Sequence, residues 1–258
     1  MAYKGLSLEG KRALVFGGTS GLGKSIAIGL AEAGADVVPV SRRAAEVARS
    51  AAEIRALGRQ SLELTADVTR RDDIQKVVDR MVQEMGRIDI LVNSAGTTKK
   101  ISSFDLADED WDRVMDINLK GTWFACQIVG RQMKKQQHGR IINIASIGGF
   151  QSLYEATVYT TSKGAVVMLT RSLGAEWAKD NICVNAIAPG VFETPLNRAL
   201  INEPVRHASI MAHTPMKRFG SLEEIKGVAI FLASDAASFV TAEIISVDGG
   251  FMAQGIGG

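Results

Sequence analysis

The sequence predicts one α/β domain, doubly wound, with a seven-stranded parallel sheet, and three observations lead to this fold class. Short apolar runs rich in β-branched residues alternate along the chain with segments of helical periodicity. Most of the runs are apolar on both faces, as in parallel strands that helices cover on both sides. No linker or shift in composition divides the 258 residues. Residues 1–258 are therefore expected to form a single domain with strand order 3-2-1-4-5-6-7.

The first half of the chain supplies four predicted strands and three predicted helices. The strands are 12–17, 36–41, 61–68 and 88–96, and the helices are 21–35, 44–57 and 71–86. One face of the first helix carries the apolar residues Leu22, Ile26, Leu30 and Ala33. Pro39 lies inside the second strand, where it removes a ladder hydrogen bond, so we expect it near the strand's end or at a bulge.

The second half continues the alternation with longer elements. In order, these are a helical region at 108–137, a strand at 140–146, a helix at 157–179, a strand at 182–190, a helix at 221–235 and a strand at 243–250. Ser221 and Glu224 predict a capping box at the start of the last helix. The irregular stretch at about 191–214 is expected to form a substrate loop or lid.

The composition excludes several classes of function. The chain is 46% hydrophobic and 22% charged, which is typical of a soluble globular protein. Its 30 basic and 28 acidic residues are interspersed and give a net charge of +2, so no electrostatic footprint for nucleic acid or a membrane surface is present. The polar N-terminus predicts no signal peptide, and no segment approaches the roughly 18 apolar residues of a membrane span. The expected location is the cytoplasm.

The cysteines and histidines predict neither a disulfide nor a metal site. Cys126 and Cys183 lie in separate apolar stretches, as small buried side chains do in a reducing compartment. A disulfide or a reactive thiol is the less favoured alternative. The three histidines, none with a second ligand at metal-binding spacing, are His138, His207 and His213.

A glycine-rich loop joins the first strand to the first helix. Gly17, Gly21 and Gly23 allow a tight turn that ends at a helix N-terminus, where backbone N–H groups and the helix dipole suit a pyrophosphate. A merely glycine-rich turn is the alternative. The position of the loop after the first strand of a parallel fold favours a Rossmann-type dinucleotide site.

The end of the second strand indicates which dinucleotide binds. An NAD site usually has Asp or Glu there to bind the ribose hydroxyls. This chain has Ser41, Arg42 and Arg43 instead. A guanidinium matches a 2′-phosphate bidentately, whereas a carboxylate repels it. The sequence therefore favours NADP, with NAD as the alternative and arginines that merely begin the next helix in solvent as a further reading.

Tyr159 and Lys163 lie four positions apart at the start of the predicted helix 157–179, and so share one helical face. An unperturbed tyrosine has a pKa near 10 and is a poor base at neutral pH. A neighbouring ammonium, together with a positive nicotinamide ring, is expected to stabilise the phenolate and to lower the pKa of Tyr159.

Over essentially its full length the chain resembles the short-chain dehydrogenases/reductases. The residues that carry the resemblance are the loop GGTSGLG at 17–23, Asp67 and Val68, the NSAG segment at 93–96, Asn118, Ser146, YTTSK at 159–163, Pro189, Gly190 and Thr194. Two positions depart from the family pattern. Phe16 replaces the usual threonine before the loop, and Ser94 replaces the second asparagine of the NNAG segment. Neither is a catalytic position.

The resemblance implies an oxidoreductase that interconverts a secondary alcohol and a ketone by hydride transfer. Tyr159 exchanges the proton of the substrate alcohol, Lys163 tunes Tyr159 and binds the ribose, and Ser146 holds the substrate oxygen. Asn118 shapes a helix turn and a water that relays protons to Lys163. The implied cofactor-binding residues are Gly17, Thr19, Ser20, Gly21, Leu22, Gly23, Ser41, Arg42, Arg43, Asp67, Val68, Asn93, Ala95, Gly96, Tyr159, Lys163, Pro189, Gly190, Phe192 and Thr194. Tyr154 is expected to face the substrate pocket.

The substrate is less well specified. The segments expected to line the pocket, 97–101, 147–155 and 191–214, are largely polar, whereas a long acyl chain would need an apolar pocket. Within the family, TTKK at 97–100, TPMKRFG at 214–220 and VDGGFMAQGI at 247–256 are similar to gluconate 5-dehydrogenase and related sugar-acid dehydrogenases. Lys99 or Lys100 is a candidate partner for a substrate carboxylate, and solvated surface lysines are the alternative.

Two other functions remain open. The first is a reductase of 3-oxoacyl thioesters, of the kind that acts on acyl-carrier proteins. The second is a non-catalytic NADP-binding module, which the intact set Ser146, Tyr159 and Lys163 disfavours. Because relatives of this kind are usually homotetramers that bury the last strand and tail, and the tail here carries Phe251, Met252 and Ile256, a symmetric tetramer is expected.

Overall fold

Seven parallel strands form one sheet in the part of the chain that the computed structural model describes, residues 3–194, 197–201 and 203–254. The strand order is β3-β2-β1-β4-β5-β6-β7, so the predicted fold class and strand order are confirmed. The strands are β1 (Arg12–Phe16), β2 (Asp36–Ser41), β3 (Leu64–Thr65), β4 (Ile90–Asn93), β5 (Gly139–Ile144), β6 (Ile182–Pro189) and β7 (Ile244–Val247). Ile256 and the other tail residues after 254 lie outside the described residues.

Helices cover both faces of the sheet. They are α1 (Gly21–Glu32), α2 (Ala44–Ala56), α3 (Arg71–Met85), α4 (Asp108–Met115), α5 (Gly121–Gln136), α6 (Thr157–Trp177), α7 (Arg198–Ile201), α8 (Pro204–His213) and α9 (Lys226–Ala233). Alternate residues of β1 point to opposite faces: Val15 packs in the cluster with α1 and α9, and Leu14 packs in the cluster with α3 and α5. Leu14 and Val15 are both fully buried, which explains why the strand is apolar on both faces.

Pro39 lies in the interior of β2, and its predicted position at a strand end or bulge is wrong. The β1–β2 register runs without interruption from Arg12–Asp36 to Phe16–Val40. Neighbours of Pro39 at alternate positions, Val37 and Ser41, bond to the chain around β3 through Gln60 and Ala66. Because backbone groups alternate along a strand, the nitrogen of Pro39 points toward the β3 side, at a position before the two-residue strand β3 begins. Its missing N–H therefore removes no hydrogen bond between β1 and β2.

The predicted helical region 108–137 is interrupted by a π-helical turn at Asp116–Lys120, which we call the wide turn. Its closing bond runs from the Gly121 N–H to the Asp116 carbonyl, one residue further than in an α-helix. The stretch expected to be irregular contains α7 and α8. The capping box of Ser221 and Glu224 is confirmed, although the first turn that it caps is a 3₁₀-helix.

Candidate active site

In the glycine loop after β1, the backbone packs closely against the loop itself and against the segment after β4. Gly17 has φ +77° and Gly21 has φ +51°, conformations that favour glycine. A Cβ on Gly17 would lie 2.6 Å from the Ala95 nitrogen, and one on Gly23 would overlap the Gly17 carbonyl oxygen. Because Ser20 caps α1 without a side-chain hydrogen bond, the first N–H groups of that helix remain available to an anion. This cradle fits the pyrophosphate of a dinucleotide.

The other predicted residues of this loop have different environments. Thr19 is buried, Leu22 is partly buried against the core, and Ser20 is exposed. Thr194, from the far side of the site, reaches the loop, since a Cβ on Gly21 would lie 3.5 Å from its methyl carbon. Thr194 is itself held by Asn197, whose Oδ1 accepts hydrogen bonds from the Thr194 N–H at 2.9 Å and from its hydroxyl at 3.0 Å.

The arginines after β2 lie beside Asp67. The Arg42 side chain is 69% exposed, and its Nη1 is 3.8 Å from Asp67 Oδ2. Burial raises the pKa of Asp67, but hydrogen bonds from Thr69 and the charge of Arg42 outweigh it and leave this pKa below its ordinary value. Arg43 is the N-cap residue of α2, and its N–H donates to Ser41 Oγ at 3.3 Å. Arg42 is thus a largely solvated guanidinium, free to turn toward a phosphate.

The segment after β4 brings the cofactor region and the catalytic region together. A Cβ on Gly96 would lie 3.4 Å from Asn118 Oδ1 and 3.9 Å from Lys163 Nζ. Val68 contacts the start of α5, where a Cβ on Gly121 would lie 2.8 Å from its methyl carbon. Close backbone approach at Ala95 and Gly96 therefore leaves little distance between the glycine loop and the catalytic groups.

The Asn93 side chain, predicted to bind cofactor, is committed to the interior. Its Nδ2 donates to Asn143 Oδ1 at 2.9 Å and to Cys126 Sγ at 3.2 Å. Asn143 in turn donates to Thr170 Oγ1 at 3.0 Å, which ties β4, β5 and α6 together beneath the site. Cys126 is fully buried there and burial raises the pKa of its thiol to about 12, so this thiol is inert.

Lys163 is buried on α6 and points at the end of β5. Its Nζ donates to the Ile144 carbonyl at 2.6 Å and lies 5.9 Å from the ring centre of Tyr159. Burial lowers the pKa of Lys163 to about 8. The ammonium is therefore poised to lose its proton near neutral pH, which suits a group that passes protons on.

Tyr159 is partly buried beside Ser146. Burial raises the pKa of Tyr159, and a hydrogen bond with the Ser146 hydroxyl only partly opposes this shift. In the protein alone the pKa of Tyr159 is raised, because desolvation disfavours the phenolate and the Lys163 ammonium is directed at Ile144. At neutral pH the phenol thus carries its proton and can act as an acid. The expected lowering includes a bound nicotinamide ring and stays a prediction.

Ser146 is the N-cap residue of the 3₁₀-turn Ile147–Gly149 that follows β5. Its Oγ accepts the Gly148 N–H at 3.0 Å, and the residue is 6% exposed. This bond uses only a lone pair of the oxygen, so the hydroxyl hydrogen, which is shared with Tyr159 here, can instead be donated to a substrate oxygen between the two side chains. Gly148 also packs closely on Leu153 and Thr160, which brings the loop before α6 against Ser146.

Asn118 is fully buried in the wide turn and bridges two segments of the site. Its Oδ1 accepts the Thr97 N–H at 2.8 Å, and its Nδ2 donates to the Thr97 carbonyl at 3.0 Å and to Ser162 Oγ at 3.0 Å. The Thr122 hydroxyl donates to the Asn118 carbonyl at 2.8 Å. Asn118 thus fixes the loop after β4 against the catalytic helix. Ser162 is a partner that the sequence reading missed, although it lies within the YTTSK segment.

The chain after β6 closes the other side of the site. A Cβ on Gly190 would lie 2.6 Å from Asp248 Cα, so Pro189 and Gly190 run directly against the end of β7. Phe192 is buried and forms an isolated parallel bridge with Gly220.

Two lysines and an exposed tyrosine lie on the loops flanking the catalytic helix. Lys99 Nζ is 2.6 Å from Asp110 Oδ2, and Lys100 Nζ is 3.5 Å from Glu155 Oε2. The Tyr154 side chain is 80% exposed with its ring centre 6.0 Å from Lys100 Nζ, so it stands at the surface instead of lining an enclosed pocket. The sequence reading missed Asp110 as a lysine partner and gave Glu155 no ion-pair role, because no periodicity relates such residues across loops.

Neither a metal centre nor a membrane-spanning helix is found in the part of the chain that the structure describes. No group of three or more metal-ligating side chains is gathered there, and no helix is both long and apolar enough to cross a bilayer.

Comparisons with known proteins agree with this geometry. A family model described as enoyl-(acyl carrier protein) reductase matches residues 17–252. The chain is 42% identical over 255 residues to 2-dehydro-3-deoxy-D-gluconate 5-dehydrogenase of Dickeya dadantii, covering 98% of this chain and 100% of that protein. The chain belongs to the short-chain dehydrogenase/reductase family.

Other members of the short-chain dehydrogenase/reductase family differ in the substrates that they are named for. The 3-oxoacyl-(acyl-carrier-protein) reductase of Thermotoga maritima is 38% identical over 247 residues, covering 96% of this chain and 100% of that protein. The crystal structure of a gluconate 5-dehydrogenase from Burkholderia cenocepacia, in complex with NADP and tartrate, superposes with a TM-score of 0.95 at 37% identity. It covers 98% of this chain and 99% of that chain. As a member of the short-chain dehydrogenase/reductase family, the chain is an oxidoreductase acting on CH–OH groups.

Proposed function

We propose that the protein is an NADP(H)-dependent oxidoreductase that interconverts a secondary alcohol and a ketone on a sugar acid. The observation that carries the proposal is the group of Ser146, Tyr159 and Lys163, gathered at the carboxyl ends of the strands within reach of the glycine loop. Ligands bind at these ends in open parallel sheets. The intact proton-transfer set disfavours a non-catalytic module, which turnover of any substrate would exclude.

The side chains divide the proton chemistry between them. A bound nicotinamide cofactor supplies the centre that gives or accepts the hydride. In the direction of reduction, Ser146 donates a hydrogen bond to the ketone oxygen and Tyr159 transfers its phenolic proton to that oxygen. Lys163, with its pKa lowered to about 8 by burial, then returns a proton toward Tyr159. Asn118 holds the loop after β4 on α6, so that this path keeps its geometry.

NADP is favoured over NAD by the charge at the end of β2. Arg42 is mostly solvated, and its nearest carboxylate, on Asp67, is a loose 3.8 Å contact. The Burkholderia gluconate 5-dehydrogenase, whose structure includes NADP, adds support by similarity. Replacing Arg42→Asp should raise the Michaelis constant for NADP by about tenfold to a hundredfold, the worth of a charge-assisted bond, and leave that for NAD much less changed. A wild-type enzyme that prefers NAD would contradict this assignment.

A sugar acid is favoured as substrate by the polar flanking loops and by similarity to the Dickeya and Burkholderia enzymes. The runner-up is a 3-oxoacyl thioester, which the Thermotoga reductase supports. The deciding experiment is a panel of gluconate, other aldonates, polyols and a 3-oxoacyl thioester, each with both cofactors, followed by nicotinamide absorbance. Reduction of the thioester with no activity on any sugar acid would identify the protein as a 3-oxoacyl thioester reductase instead.

Lys100 is the better candidate of the two lysines for binding a substrate carboxylate. The Lys99 partner, Asp110, is held at 2.6 Å and also accepts a bond from Arg113 at 2.9 Å. Hydrogen bonds from Lys99 and Arg113 lower the pKa of Asp110, so Asp110 is ionised at neutral pH and holds Lys99 in place. The ion pair of Lys100 is looser, with its Nζ 3.5 Å from Glu155 Oε2. Lys100→Met should weaken acid substrates selectively and leave neutral polyols nearly unchanged.

The remaining parts of the proposal concern the whole chain. We take residues 1–258 as one domain in which 191–214, including α7 and α8, acts as the substrate lid. The protein is proposed to work in the cytoplasm as a homotetramer.

A further inference from the structure

Glu155 has an unusual backbone conformation at the entrance to the catalytic helix. Its φ is +58°, in the left-handed region that residues other than glycine rarely adopt. Its carbonyl accepts the Ile101 N–H at 2.8 Å, which fastens the loop before α6 to the loop after β4. This bond holds the Glu155 carboxylate over Lys100, with the two charged atoms 3.5 Å apart.

The charge of Lys100 also acts on a second carboxylate, that of Glu203 at the start of α8. Glu203 caps this helix, and its oxygens accept the N–H groups of Val205 and Arg206 at 3.1 and 2.8 Å. These two backbone bonds lower the pKa of Glu203, and the charge of Lys100 adds to the effect. The Lys100 charge therefore acts on two carboxylates, Glu155 in the loop before α6 and Glu203 at the N-terminus of α8.

The two carboxylates differ in what else they bind. Glu203 has its oxygens engaged by the helix that it caps, whereas Lys100 is the only ion-pair partner of Glu155 among the described residues. A pair at 3.5 Å, with side chains 28% and 33% exposed, is weak and exchanges readily. Glu155 is therefore the carboxylate that an incoming anion would replace on Lys100.

We propose that Glu155 is a specificity-determining residue: it occupies Lys100 as an internal carboxylate, and an acid substrate must displace it to bind. The inference deepens the proposed function and rests on it. In this role Glu155 acts by competing for Lys100. The competition weakens the binding of acids without affecting neutral polyols, and so it sets how strongly the enzyme discriminates between the two classes.

The test measures binding of gluconate and of sorbitol to the protein saturated with NADPH. Both ligands are alcohols, so they cannot react with the reduced cofactor, and they differ only at C1, where one has a carboxylate. Glu155→Gln keeps the size of the side chain and should lower the dissociation constant of gluconate about two- to fivefold, the range for an exposed ion pair, while that of sorbitol stays the same. Isothermal titration measures both constants.

Two further variants separate displacement from general electrostatics. Glu109→Gln removes one negative charge at an exposed position one residue from Asp110, and should change neither constant. In a Lys100→Met background, Glu155→Gln should give no gain for gluconate, because no cation is left to release. An equal gain with and without Lys100 would mean simple repulsion by Glu155 and would overturn the proposal.

The outcomes also separate this proposal from the proposed function. If only neutral ketones or thioesters are turned over, the sugar-acid function fails, while the effect of Glu155→Gln is still measured as gluconate binding. If gluconate binds and its dissociation constant is the same in wild type and Glu155→Gln, the Glu155 proposal fails and the function stands. Absence of gluconate binding in every variant rejects the role of Glu155 directly.

Discussion

Tyr159 and Tyr154 offer a matched pair of phenols on the same segment of chain. Tyr159 shares a hydrogen bond with Ser146 near Lys163, whereas Tyr154 is 80% exposed. Tyr159→Phe should lower kcat by at least about a hundredfold, since it removes the positioned acid, while cofactor affinity is nearly unchanged. Tyr154→Phe should have a mild effect. Steady-state kinetics and NADPH fluorescence titration measure the two quantities, and the reverse ranking would place the catalytic tyrosine elsewhere.

The buried ammonium of Lys163 should make stability depend on pH in an alkaline window. Its pKa is about 8 in the folded protein and 10.5 unperturbed, so between these values the unfolded chain binds the proton more strongly. The free energy of unfolding should therefore rise with pH from about 8 to 10.5, by an amount on the order of 3 kcal/mol, and the penalty is complete below pH 8.

The comparison with Lys163→Met isolates this contribution. Urea unfolding of the cofactor-free protein, repeated at several pH values between 7 and 11, gives the slope for each form. The variant should lack the wild-type rise. Parallel curves for the two proteins would show that Lys163 has an ordinary pKa in the folded state.

The roles of several residues could be predicted from the sequence, whereas other roles depend on contacts that are known only from the structure. The spacing of Tyr159 and Lys163 placed them on one helical face, and the glycine spacing predicted a tight turn into α1. The direction of the Tyr159 pKa was not predictable, because it depends on burial and on where the Lys163 ammonium points. Glu155 was equally hidden, since its ion pair joins two loops.

The glycine loop and helix α9 provide contrasting glycines at the scale of elements. A Cβ on Gly23 would overlap the Gly17 carbonyl and lie 2.8 Å from Ser94 Oγ, whereas one on Gly227 meets nothing within 4 Å. Gly23→Ala should destabilise the protein by about 1–3 kcal/mol and weaken NADPH binding, because backbone must move. Gly227→Ala, on an exposed helical surface, should stabilise by about 0.5–1 kcal/mol and leave binding unchanged. Urea unfolding and fluorescence titration provide the check; normal NADPH affinity in Gly23→Ala would contradict the assignment of the loop.

Hydrophobic periodicity predicted the helices and strands well but did not predict the π-helical turn that interrupts a helix. The strands and the capping box of Ser221 were predicted because apolar runs and a cap signal are local. The wide turn at Asp116–Lys120 has no such signal, because its sequence continues the helical pattern on both sides. Helix α8 was missed, and none of its residues is buried in the structure.

The whole molecule leaves apolar surface at one edge of its sheet. Among the described residues β7 pairs only with β6, the residues of β7 are not fully buried, and Phe239, just before it, is wholly exposed. An open edge with exposed apolar side chains favours association. We expect a symmetric tetramer that buries this edge, and Phe239→Asp should shift it to smaller species. Light scattering at micromolar concentration tests both, and a monomeric wild type would contradict the expectation.

The wide turn determines how the helical region from α4 to α5 would respond to the deletion of one residue. A π-helical turn holds one residue more than an α-helical turn, so α4 and α5 keep the phase they would have in one uninterrupted helix without that residue. Deleting one residue, such as Ile117, would let the helix close as an ordinary α-helix with its buried face still toward the sheet. What would be lost is the reach of Asn118 to Thr97 and Ser162. The extra residue therefore positions Asn118 and is not needed for the packing of the helices on the sheet. The protein without it should still fold, but it should lose catalytic activity.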